Sequence, residues 1–90
     1  MSNITIENQP SETSLDALGV YTWPIWEKEA SSFPWHYDME EVCYLLEGKV
    51  TVIANGQKHE FGKGDLVKFP QGLSCEWQIH KPVKKHYQFR

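Results

Sequence analysis

The stretch EVCYLLEGKVTVIANGQKHEF (residues 41–61) reads as the centre of a β-domain. An apolar run from Val42 to Leu46 ends at Gly48 and KVTVIA follows. Asn55-Gly56 then supplies the two positive φ angles of a tight hairpin turn, so QKHEF returns antiparallel. Outward from this hairpin, GKGD (62–65) turns the chain into LVKF, PQG (70–72) turns it again, and LSCEWQI (73–79) follows. Turns roughly eight to ten residues apart, with no helical stretch between them, predict an all-β sandwich or barrel.

Alternation shows which side chains face in. In LSCEWQI one parity holds Leu73, Cys75, Trp77 and Ile79, and the other Ser74, Glu76, Gln78 and His80. The first parity is the inward one. Residues 41–46 are apolar on both faces, with Glu41, Cys43 and Leu45 on one side and Val42, Tyr44 and Leu46 on the other. That second apolar face is a reason to expect a homodimer.

Toward the N-terminus the pattern weakens. Residues 1–14 are polar and contain Pro10, which predicts a frayed arm or an edge strand around NITIE. SLDALG (14–19) suits one helical turn, with Ser14 as N-cap and Gly19 as stop. Pro24 and Pro34 argue against a long helix in YTWPIWEKEASSFPW (21–35), leaving a short strand or extended segment that ends in a loop. The expected organisation is an arm with a helical turn over 1–19 and a single domain over 20–90.

Composition bounds the rest. Ninety residues make one small domain, burying roughly 60 to 65% of the surface of the unfolded chain. With 40% hydrophobic residues, four of the ninety being Trp, the chain can fill such a core. Twelve acids against nine bases give a net charge of −3 and no basic run, so neither nucleic acid nor an anionic membrane surface is an expected partner. VCYLL is far too short to span a bilayer, and the N-terminus has no secretory pattern, which predicts a cytoplasmic protein. Cys43 and Cys75, a lone pair without Cys-x-x-Cys spacing, read as buried thiols rather than a disulfide.

Two motifs carry a family resemblance. EVCYLLEG, with Glu41 seven positions before Gly48, is followed by GDLVKFPQGLSCEW, with Gly64 six positions before Pro70. Together they resemble the paired motifs of the cupin superfamily. More narrowly, the Trp-rich lead-in, LEGKV, GDLVKFPQGL, the Cys-x-Trp and KPVKKHY resemble the small single-domain cupins grouped with the cupin domain of (S)-ureidoglycine aminohydrolase. The resemblance implies a double-stranded β-helix, or jelly-roll barrel, to which the residues add a short helical turn near the N-terminus. It also implies a site of three histidines and one glutamate holding zinc, iron, manganese or nickel. Here Glu41 matches the motif glutamate and His36 stands for the second histidine. Pro34 then occupies the first histidine's place, whereas with the three-residue spacer Trp35 and Tyr37 occupy both histidine places; Cys75 takes the last histidine's place and Ile79 the final asparagine's. The implied metal ligands are therefore His36, Glu41 and Cys75, in a degenerate site that holds a divalent transition metal or none.

Each candidate has a plain alternative. Cys75 is a ligand or a core thiol beside Trp77. Glu41 is a general base or a solvated carboxylate at the barrel mouth. His36 is a ligand or an exposed loop histidine. Tyr37, Glu41, Cys75 and Trp77, with Trp35 beside the motif loop, are the expected lining of a small-molecule pocket. His59, His80 and His86 are assigned to no site, and KPVKKHYQFR reads as a solvated final strand. Two functions follow: a cupin that binds a small molecule in its barrel, acting as a metal-assisted or carboxylate-assisted enzyme, or a non-catalytic sensor or dimerisation module.

Overall fold

Strand alternation is realised as seven strands, β1 (Thr5–Asn8), β2 (Ile25–Lys28), β3 (Ser31–His36), β4 (Glu41–Ala54), β5 (Gln57–Gly62), β6 (Asp65–Phe69) and β7 (Ser74–Phe89). Helix α1 (Glu12–Leu18) and a 3-10 turn (Val20–Thr22) lie between β1 and β2. The computed structural model describes residues 4–90, so the start of the expected arm lies outside the described residues. Two long strands organise everything else. β4 and β7 pair antiparallel over most of their length; β4 takes β6 and β5 along its other side, and β7 takes β2 and β3. The result is the double-stranded β-helix barrel, with a short helix near the N-terminus, that the motifs implied.

Gly48 does not end a strand. β4 runs through it with register shifts against β7 between Leu45 and Val50, and Gly48 itself takes φ +120°. A Cβ there would stand 3.0 Å from the Pro82 carbonyl oxygen, so only glycine lets the two strands close at this bend. KPVKKHYQFR likewise continues one strand from Ser74 and is no separate tail. The Asn55-Gly56 turn forms as expected, at φ 51° and 75°, with Ala54 opposite Gln57.

The inward parity holds. Cys43, Leu45, Val50, Val52, Val67, Phe69, Trp77 and Ile79 share one buried core with Tyr37 and Phe61. The outer face of β4 has its own cover: Leu15 of α1, Val20 and Trp23 bury Val42 and pack against Tyr44 and Leu66. Burial of Leu15 and Val20, both 0% exposed, stabilises this docking by roughly 1.5–3 kcal/mol apiece. The apolar face that suggested a homodimer is thus occupied by the chain's own N-terminal segment.

Local corrections follow from the same packing. α1 is longer than one turn and its cap is Ser11, whose hydroxyl accepts from the Ser14 backbone N–H; Ser14 is inside the helix. Gly19 ends it at φ 74°. β1 is the edge strand of the two N-terminal alternatives, pairing with β6. The segment over 21–35 forms two strands, and His36 closes β3 rather than lying in a loop. No helix among the described residues is long and apolar enough to cross a membrane.

Candidate functional site

Lys85 is the unexpected residue. Its β7 parity is that of Trp77, Ile79 and Val83, so the side chain enters the barrel, where Lys85 stands opposite Leu45 of β4. A buried ammonium is costly unless paired. Its Nζ donates to Glu41 Oε2 at 2.9 Å, with the two side chains 6% and 4% exposed. It also lies 4.5 Å from the ring centre of Trp77 and 4.9 Å from that of Trp26. Carboxylate and indole faces together replace the water that the ammonium gave up.

The pair forms the floor of a pocket of about 220 Å³. β2 supplies Trp26, β3 supplies Phe33 and Trp35, and β7 supplies Trp77, Tyr87 and Phe89. Trp35 and Phe89 remain exposed at the rim. Tyr37 completes the lining beside Glu41, stacked on Phe69 at 4.8 Å and 9°. Its hydroxyl oxygen accepts the Trp77 Nε1–H at 3.1 Å, which leaves its own O–H free to donate. Burial, then the Glu41 charge, raises the Tyr37 pKa, so this hydroxyl stays neutral. The charged inventory of an otherwise aromatic pocket is one carboxylate and one ammonium, joined by the phenols of Tyr37 and Tyr87.

Of the residues expected here, Tyr37, Glu41, Trp77 and Trp35 meet in the pocket and two do not. Cys75 is half-buried and packs against the core beside Trp77, opposite Trp35. His36 has the outward parity: Nδ1 lies 2.7 Å from Ser74 Oγ, Nε2 lies 3.7 Å from Asp38 Oδ1, and the side chain is 55% exposed. Among the described residues no group of three or more His, Cys, Asp and Glu is placed to hold a metal ion. The trio of His36, Glu41 and Cys75 does not fit a cupin metal, because the imidazole faces out and the carboxylate already holds an ammonium.

Burial pushes the Cys43 thiol up from 9.0 to about 12. Burial, then Glu41, pushes Cys75 up from 9.0 to about 11. A raised folded-state pKa means the native protein keeps protons that the unfolded chain releases, so the contribution is full below pH 9 and lost as pH rises through 11 and 12. Calorimetric midpoints should therefore fall across that alkaline window, and Cys75→Ala should flatten part of the fall; an unchanged profile in the variant would refute the assignment.

Lys85, Trp26, Phe33, Tyr87 and Phe89 are the pocket residues that sequence reasoning missed. Extending the alternation from Trp77 and Ile79 through Val83 to Lys85, Tyr87 and Phe89 would have found three of them. The solvated reading of this strand also fails at His86, which is buried on the outer face with Nδ1 2.9 Å from the Trp23 carbonyl oxygen.

Comparison with known proteins adds a family. The model of the EutQ-like cupin domain matches residues 15–87. A DUF861-family protein from Thermotoga maritima, known from its crystal structure, is 50% identical with a TM-score of 0.94, covering 98% of this chain and 100% of that one. The Clostridium difficile EutQ protein shares the fold, with a TM-score of 0.68 at 16% identity over 98% of this chain and 68% of that one. Acetate kinase EutQ of Clostridioides difficile (strain 630) is 24% identical over 53 residues, 59% of this chain. That match spans 34% of the curated relative's length.

Proposed function

We propose, from the premise that the chain belongs to the EutQ-like cupin family, that its barrel binds a small molecule and anchors it on the Glu41–Lys85 ion pair. The observation that carries this reading is the 2.9 Å pair on the floor of an aromatic pocket. A buried ion pair is a weak source of stability, since well-packed apolar side chains do as well or better. Its presence at the bottom of an open pocket is better explained by what enters than by what holds the barrel together. Glu41 accepts, Lys85 and Tyr37 donate, and the aromatic walls hold an apolar body. The narrower motif likeness to the cupin domain of (S)-ureidoglycine aminohydrolase supports a small nitrogenous or carbonyl compound.

In an enzyme of this kind Glu41 would take a proton and Lys85 return one, both within reach of the same ligand. A sensor would use the same pocket without turnover. Either way the site is tested by binding. A fragment screen read by the Trp77 Nε1–H resonance should return ligands that shift it, and Glu41→Gln should weaken those ligands by about tenfold or more. Hits that leave Trp77 unmoved and ignore Glu41→Gln would sink the proposal.

A further inference from the structure

We infer that the ligand is an uncharged planar carboxamide or lactam, whose N–H donates to Glu41 and whose carbonyl oxygen accepts from Lys85. The inference rests on the pocket being the binding site and goes on to its charge selectivity. The floor holds one negative and one positive group in contact, so its net charge is zero before anything binds. A carboxylate ligand would pair with Lys85 only beside Glu41, and an ammonium would pair with Glu41 only beside Lys85. Each leaves an unbalanced charge in a site walled by rings, where desolvated charge is penalised.

The cation's place is already taken. Lys85 Nζ lies within 5 Å of two indole ring centres, at 4.5 and 4.9 Å, the positions an incoming cation would otherwise seek. The pair uses Glu41 Oε2 and one of the three Lys85 N–H bonds. Glu41 Oε1 is left as an acceptor and the remaining N–H bonds as donors, side by side. A carboxamide presents the complementary donor and acceptor on one rigid plane without charge. The volume of about 220 Å³ equals that of roughly seven waters at about 30 Å³ each, which admits one small ring with its amide.

Benzamide, benzoate and benzamidine test this directly, because the three share a shape and differ in charge. Each is titrated into the full chain while the Trp77 Nε1–H resonance is followed, and again into Glu41→Gln. Benzamide is expected to bind at least about tenfold more tightly than either charged analogue, and Glu41→Gln, which leaves Lys85 as the sole charge, to move the preference to benzoate. Wild-type protein that binds benzoate or benzamidine as tightly as benzamide overturns the ligand class and leaves the pocket standing. Three probes without effect beside other fragments that do shift Trp77 do the same. No shift at Trp77 with any probe or fragment removes the pocket reading and this inference with it. If Glu41→Gln does not fold, the wild-type ranking alone decides.

Discussion

Lys85→Met is expected to lower the unfolding free energy by roughly 3–5 kcal/mol, the usual cost of leaving one partner of a buried ion pair alone. The effect comes from Glu41 more than from Lys85. With the ammonium gone, a carboxylate 4% exposed keeps no ion-pair partner among the described residues, while Met fills most of the vacated volume. Adding Glu41→Leu to Lys85→Met should recover most of the loss, since two apolar side chains of similar bulk need no compensation. Urea unfolding of wild type, both single variants and the double variant closes the cycle. Additive losses would show that the two groups do not act as a pair, and would remove the central contact of the site. The restored double variant should still fail to bind the pocket's ligand, which separates stability from function.

Gly48→Val is the second large effect. A Cβ at Gly48 meets Val83 Cγ2 at 2.9 Å and the Pro82 carbonyl oxygen and Val83 Cα at 3.0 Å, and φ +120° is backbone that an L-residue resists. Strain and overpacking together should cost roughly 3–5 kcal/mol. Gly56→Ala is the control. Its φ of +75° is also left-handed, yet nothing lies within 4 Å of the added carbon, so only about 1–2 kcal/mol of conformational cost is expected. Equal losses at the two positions, measured by urea midpoints, would show that the approach of β4 to Pro82 and Val83 is not what requires Gly48.

Gly48 also illustrates where the sequence was legible and where it was not. The hairpin at Asn55-Gly56 and the parity of 73–79 rest on local chemistry, and both stand. Gly48 reads locally as a stop, because nothing nearby distinguishes a strand end from a bulge inside a longer strand. Pro34 reads as a breaker, yet among the described residues β3 pairs with β7 alone, and such an edge position tolerates proline. The motif spacing led to Glu41 correctly as an inward carboxylate. It led to His36 wrongly, because counting along the chain cannot say which side of β3 a residue leaves from. Lys85 was hidden by its charge: lysine is almost never buried unless paired, and its partner lies 44 positions away. Only the pairing of β4 with β7 brings the two together.

The seat of Lys85 also bears on how the protein meets changes in ionic strength. Mobile ions screen exposed charges over a Debye length of about 8 Å at physiological salt, but act much less on a pair whose side chains are buried at the floor of the barrel. Attractions between exposed charges on the surface of this chain should fade as salt is added. The contact on the pocket floor should persist, so ligand recognition would stay nearly constant across salinities that erase the electrostatics of the surface.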